Sequence, residues 1–266
     1  MSLWGLPELA PNANYLYYDY ISIKHEECLD SNINTYSHLL PSNNISKITN
    51  SKVQIKKSQI VKIRALQRIG PHNKNILSII FGSLLGDGYA EQRNKGTRIN
   101  FYQEGSHTSY LLWLHNYLAE LGYCSSQIPL INTRLGQKGI VRKIIRFRTW
   151  TYTSFNWVHE LWYINGKKKV PSNIGDFLTP LALAIWIMDD GGKVSSGFKF
   201  STNSFSYSDC LLLVKVLYDN FNLKASVQSA GKENQYIIYI WKESMPLLRE
   251  IVLPYVHPSM KYKLEL

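Results

Sequence analysis

Cysteine is scarce in this chain: Cys28, Cys124 and Cys210 stand far apart in 266 residues, and none belongs to a Cys-x-x-Cys pair. That usage argues against a disulfide framework or a zinc ribbon and fits a reducing compartment. The seven histidines form no His-Glu-x-x-His, and none pairs with cysteine at zinc-finger spacing. A P-loop and a Gly-x-Gly-x-x-Gly are both missing, so nothing supports nucleotide hydrolysis. Long apolar runs are missing too. The longest, residues 76–86, contains Ser78 and Ser83 and is about half a bilayer span. No stretch reads as a basic amphipathic surface helix, and no signal-peptide core precedes the first acidic residues. Arginine is absent before Arg64, whereas Glu8, Asp19, Glu26, Glu27 and Asp30 come early, the opposite of an import presequence.

Negative charge is the other shortage. Thirty Lys and Arg against nineteen Asp and Glu leave +11, which points to a polyanionic partner. With no membrane anchor, nucleic acid is favoured over a lipid surface. The 45 % apolar and 13 % aromatic content suffices for a core, and the length suits two domains or one domain of two similar halves. Eighteen Tyr beside abundant Asn, Ile and Lys would follow from an A+T-rich gene, as in organelle genomes.

Residues 1–70 differ from the rest. The stretch "SNINTYSHLLPSNNISKITNSK" is polar and weakly periodic, as in a loosely ordered extension, and "VQIKKSQIVKIRALQRIG" reads as a basic helix or linker. From Pro71 one pattern is written twice. "NKNILSIIFGSLLGDGYAEQ" is an apolar helix, "TRINFYQ" a strand, and "HTSYLLWLHNYLAELG" a helix. "IPLINTRLGQKGIVRKIIRFRTW" is a hairpin around Gly136 and Gly139, followed by a helix near "TSFNWVHELWYI" and the basic "NGKKKVP". The second copy runs through "TPLALAIWIMDDGGKVS", "GFKFST", "SDCLLLVKVLYDNFNL", "KASVQSA" and "QYIIYIW" to a helix after Ser244 and the basic tail "SMKYKLEL". The expected fold is α+β: an N-terminal extension over 1–70 and two αββαββα repeats over 71–172 and 173–266, related by a pseudo-twofold axis.

The two apolar helices share an ending. "IFGSLLGDG" and "LAIWIMDDG" each place Asp eighth and Gly ninth, and Asp87 and Asp190 lie roughly a hundred residues apart. The glycines, Gly88 and Gly191, suit left-handed helix caps. A carboxylate at a helix C-terminus is opposed by the macrodipole, and two such ends packed together bring like charges close. A hard divalent cation such as Mg²⁺ relieves both, because it accepts oxygen ligands and keeps several waters. One Asp-Gly alone would be an ordinary turn; two in matching context on a basic chain are a site. Gly82 and Gly86 give the first helix a smooth face, but the same places in the second hold Ile185 and Asp189, so an asymmetric contact is expected.

Both segments resemble the signature of the LAGLIDADG homing endonucleases, in the single-chain form with two motifs. "FGSLLGDGYAE", "LTPLALAIWIMDDGGK", "KKKVP" and "MKYKL" are similar to the branch found in fungal mitochondrial introns. The resemblance covers residues 71–266. It implies two αββαββα halves joined by the motif helices, saddle-shaped antiparallel sheets on the DNA major groove, and a metal-dependent double-strand cut by a monomer in the mitochondrial matrix. On that resemblance Asp87 and Asp190 take the metal-binding carboxylate positions, grouped with Gly88 and Gly191. Asp189 has no acidic counterpart in the first motif, where Gly86 stands, and receives a secondary role. Lys168 and Lys263 are chosen as catalytic lysines, with Lys167 and Lys169 as neighbours and solvated lysines as the alternative. Mg²⁺ is the implied cofactor, with Mn²⁺ as its substitute.

The strands supply the expected DNA contacts. Arg98, Asn100 and Tyr102 share one face of "TRINFYQ", and Arg142, Arg146 and Arg148 share one face of "VRKIIRFRTW". Arg bonds guanine bidentately and Asn or Gln bonds adenine. Arg93, Arg134 and Lys138 join them, and Lys199, Lys224, Ser226, Gln228 and Lys232 are their second-half counterparts. Gln103 and Asn203 stand near the inner strand ends, within reach of DNA and metal alike. Unequal halves imply a non-palindromic target. The leading expectation is a site-specific DNA endonuclease; the main rival is an intron RNA maturase, alone or in addition, and a third reading is a catalytically silent DNA-binding protein. An intein is disfavoured because the terminal His-Asn is lacking.

Overall fold

Two helices carry the centre of the molecule, and each starts where a side chain supplies the missing acceptor for its first amides. In the computed structural model, α1 (Lys74–Leu85) is capped by Asn73, whose Oδ1 accepts from the Asn75 amide at 2.7 Å. The helix α5 (Pro180–Asp190) is capped by Thr179, whose hydroxyl accepts from the Ala182 amide at 3.2 Å, and Pro180 occupies a first-turn position where its absent amide costs nothing. The structure describes Arg68, residues 70–135, Gly139 and residues 141–265. The expectations for residues 1–67, for Gly136 and for Lys138 lie outside the described residues.

After α1 come the strands β1 (Tyr89–Arg93) and β2 (Gly96–Glu104), the helix α2 (Thr108–Glu120), the strands β3 (Ile131–Leu135) and β4 (Val141–Arg148), and the helix α3 (Asn156–Trp162). A two-residue hairpin, β5 (Tyr163–Ile164) with β6 (Lys167–Lys168), and a single turn α4 (Ile174–Phe177) lead to α5. The order then repeats: β7 (Gly191–Val194), β8 (Gly197–Phe200), α6 (Tyr207–Phe221), β9 (Ala225–Ser229), β10 (Tyr236–Ile240) and α7 (Met245–Val252). The sheets have the same strand order, β1-β2-β4-β3 and β7-β8-β10-β9, and every pairing is antiparallel. The expected αββαββα order is therefore present twice. The basic tail, read from the sequence only as charged, folds as a 3-10 helix over Pro258–Leu264.

Both motif helices are buried all round. Ile76, Ile79, Ile80, Phe81, Leu84 and Leu85 of α1 and residues 182–188 of α5 belong to one core. A Cβ on Gly82 would lie 2.4 Å from the Ala182 carbonyl oxygen and 2.9 Å from Ile185 Cβ; one on Gly86 would lie 2.4 Å from Asp189 Cβ. The seam is thus asymmetric because the pseudo-equivalent positions face each other. Glycine on one helix makes room for Ile185 and Asp189 on the other. Gly82→Ala is expected to lower unfolding free energy by about 1–3 kcal/mol through overpacking, read by urea denaturation. Unchanged stability would mean that the helices separate at no cost.

Gly88 and Gly191 differ from the expectation of left-handed caps. Neither has a positive φ: Gly191 is extended at φ −80°, and the chain passes straight from α5 into β7. Glycine is needed for space instead. A Cβ would meet the Ser83 carbonyl at 2.8 Å from Gly88, and Phe198 Cζ at 2.4 Å from Gly191.

Candidate active site

Asp87 lies just beyond α1 and Asp190 is the last residue of α5, so the seam delivers both carboxylates to one end of the helix pair. Asp189, facing Gly86, adds a third acidic group. Gln103 of β2 connects them: its Nε2 donates to Asp87 Oδ2 at 2.7 Å and to Asp189 Oδ1 at 2.9 Å. The buried Tyr110 hydroxyl donates to the same Asp189 oxygen at 3.0 Å. Burial raises the pKa of all three carboxyls; the Asp87 charge raises Asp189 and Asp190 further, and Asp190 also raises Asp189. Asp190 is pushed up to about 7, by burial first and then by Asp87. Asp87 is open to solvent over much of its residue surface, yet its carboxyl sits deep enough among neighbours that burial outweighs the Gln103 hydrogen bond.

The lysines answer the helix-end problem in part. Lys263, only 7 % exposed, donates to the carbonyls of Met188 at 2.6 Å, Asp189 at 3.0 Å and Ile187 at 3.4 Å. It is a cation seated on the negative end of α5 with all three N–H groups engaged, a role the sequence reading did not foresee. Lys168 donates to the Gly88 carbonyl at 2.9 Å and keeps two donors for other acceptors. Burial lowers its pKa to about 8 against the pull of the three aspartates. Lys167 and Lys169 are exposed.

A groove of about 980 Å³ opens from Asp87 across the first sheet. Arg98, Asn100, Tyr102, Arg134, Arg146 and Arg148 all line it. Arg134, Arg146 and Arg148 form no ion pair among the described residues, whereas Arg98 is held by Glu91 at 2.7 Å and Asn100 Nδ2 donates to the same carboxylate at 3.3 Å. A family model described as the LAGLIDADG DNA endonuclease family matches residues 77–248, which hold both motif helices and both sheets.

The chain belongs to the LAGLIDADG DNA endonuclease family. It is 52 % identical over 226 residues to the cytochrome b mRNA maturase bI2 of Saccharomyces cerevisiae, covering 82 % of this chain and 53 % of that protein. It is 48 % identical to the protein of the same name from Debaryomyces hansenii, covering 80 % of each. Among solved structures it is similar to the homing endonuclease I-WcaI bound to its DNA recognition sequence, with a TM-score of 0.64, 27 % identity, and coverage of 72 % of this chain and 86 % of that one. The chain thus spans about half the length of the first relative and most of the second.

In this LAGLIDADG chain several sequence-derived assignments change place. Gln103 is turned away from the groove. It is 2 % exposed, on the strand face of Ile99 and Phe101, and its amide is bonded to the Asp87 and Asp189 carboxylates. Asn203 is exposed and its amide donates to Gln235 at 3.2 Å, not toward Asp190. The residue in register with Gln103 is Thr202, whose hydroxyl donates to the Tyr236 carbonyl at 2.9 Å. Arg142 is paired with Glu104 at 2.9 Å and Arg93 with Glu91 at 3.2 Å, both at exposed places. In the second sheet Lys199 lines up with Tyr239 and Ser226 across the strands, and Lys224, Gln228 and Lys232 are exposed. Arg249 is the sole arginine after Arg148, so no strand of the second sheet carries one.

The residues fit a hard divalent cation. The donor set is carboxylate and carbonyl oxygen, and the Asp190 pKa is raised by burial first and by the Asp87 charge second, against the opposing pull of both lysines. Among the described residues no three His, Cys, Asp or Glu side chains form a complete metal cage. A divalent cation held by one or two carboxylates completes its shell with water and substrate phosphate. Of the two glycines grouped with the metal, Gly88 already spends its carbonyl on Lys168.

The titration has a measurable consequence. Because the folded-state pKa of Asp190 is raised, its contribution to stability is complete below about pH 4 and is lost as pH rises toward 7. In EDTA the wild type is expected to lose melting temperature between about pH 4 and 7 relative to Asp190→Asn. Parallel curves for the two proteins would contradict the assignment.

Proposed function

We propose that this chain is a site-specific intron-encoded homing endonuclease that makes a divalent-metal-dependent double-strand cut in a long, asymmetric DNA site. One observation carries the reading: Asp87, which the helix seam brings together with Asp190, lines an arginine-rich groove, and Lys168 is bonded to the adjoining Gly88 carbonyl. Residues 71–172 and 173–266 serve as the two repeats, acting as a monomer. A mitochondrial setting, with the matrix as compartment, is supported by relatives named for cytochrome b mRNA.

Asp87 and Asp190 would hold Mg²⁺, or Mn²⁺ in its place, and the bound ion supplies phosphate-charge neutralisation and a water of lowered pKa. The chain's own groups do the rest. Arg134, Arg146 and Arg148 bind phosphates and guanine edges in the major groove, and Lys199, Lys224, Gln228 and Lys232 make the sparser contacts of the second half-site. Lys168, with two free donors, orients a water or offsets charge at the scissile phosphate. Lys263 keeps α5 capped and lowers the cost of the carboxylates at its end. Gln103 fixes the rotamer of Asp87.

A second reading, an intron RNA maturase alone or in addition, is favoured by the names of the two relatives at 52 % and 48 % identity. The purified chain with Mg²⁺ is tested on a duplex joining the two flanks of its insertion site and, separately, on the host intron RNA. A cut in both strands supports the endonuclease. RNA binding that promotes splicing, with no DNA cut, replaces it by the maturase.

A further inference from the structure

The position just before the second helix of each repeat is used in two different ways. In the second repeat it is Ser206, whose hydroxyl caps α6 by accepting from the Asp209 amide at 3.2 Å, with Asp209 bonding back to the Ser206 amide. In the first repeat it is His107, and its side chain makes no cap bond to α2. The imidazole turns instead to Gln103, the residue bonded to Asp87: its Nδ1 lies 2.9 Å from Gln103 Oε1 and its Nε2 3.1 Å from the Tyr262 hydroxyl.

The direction of every bond in this chain follows from its inner end. Ionised Asp87 only accepts, so the Gln103 amide must present Nε2 to it and Oε1 to His107. Oε1 only accepts, so His107 donates from Nδ1, and its neutral Nε2 accepts from Tyr262. The second repeat has no counterpart, since Thr202 bonds to the Tyr236 carbonyl and Ser206 is engaged in capping. The two motif aspartates are therefore supported unequally, and a polar residue that forgoes a helix cap is accounted for.

We propose that His107, backed by Tyr262, is a positioning residue for the Asp87 half of the centre, so that cutting of one DNA strand depends on it and cutting of the other does not. This rests on the endonuclease reading and names the asymmetry within it. The two strand cuts are followed separately on a duplex labelled differently at each strand. His107→Ser, which restores the residue that caps α6, is expected to slow one strand's cut about tenfold, leave the other within about twofold, and keep the melting temperature at or above that of the wild type. His107→Asn, whose amide nitrogen replaces Nδ1, is expected to recover most of the loss. Equal slowing of both strands, or of neither, overturns the proposal. A wild type that cuts neither strand removes the endonuclease reading instead. The imidazole ¹⁵N shifts of His107 then decide the present one: an Nδ1–H tautomer agrees with it, and an Nε2–H tautomer rejects it whether or not DNA is cut.

Discussion

Asp87→Asn and Asp190→Asn each lower the rate of double-strand cutting by about 10³-fold, while duplex binding in Ca²⁺ stays within about threefold of the wild type. The size follows from the loss of a cation worth several kcal/mol at the developing phosphate charge, where each 1.36 kcal/mol is a factor of about ten. Asparagine keeps the shape of the side chain, and at position 87 its carbonyl still accepts from Gln103 Nε2. Folding is not expected to suffer, because burial already holds both carboxyl pKa values above their usual range. The rate is read under single-turnover conditions and the binding by gel shift. Cutting that survives unchanged in both variants would remove these carboxylates from the chemistry. A parallel loss of binding and melting temperature would make them structural.

Duplex binding itself should collapse with salt. About six cations, Arg134, Arg146 and Arg148 on the first sheet, Lys199 on the second and Lys224 and Lys232 beside its strands, have no ion-pair partner among the described residues and can neutralise phosphates. Counter-ion release then predicts about a 10³-fold loss of affinity between 50 and 200 mM salt. Arg98 adds little to this slope, since Glu91 already neutralises it. Substituting Arg146 or Arg148 by Ala should flatten the slope by about one phosphate and relax sequence choice in the half-site under the first sheet. The same change at Lys199 should flatten the slope with little effect on sequence choice. A flat salt response would contradict a DNA-facing groove.

The fold was legible because period and repetition agree. Apolar helices that end in Asp-Gly, strands that alternate arginine with Ile145 and Phe147, and one order written twice leave few arrangements open. Of the candidate site, the sequence named Asp87, Asp190 and Lys168, which the fold brings near one another. For Gln103 the signal is strand parity: it shares a face with Ile99 and Phe101, the core side, and therefore points inward. Asn203 was chosen one residue past Thr202 because strand register is not visible without the partner strand. Lys263 as a cap on α5, and Tyr110 as a core tyrosine bonded to Asp189, depend on contacts between distant segments, and no local spacing encodes them. His107 left one trace, a non-capping residue at the place where the other repeat has serine.

The central claim is that the paired helix ends form one metal-dependent cutting centre. It is tested most directly by the anomalous scattering of Mn²⁺ in crystals of the chain with its DNA. The expected result is anomalous density bound by Asp87 and Asp190 and shared with the scissile phosphates. Cleaved DNA in the crystal with manganese elsewhere, or with none at these carboxylates, would contradict it.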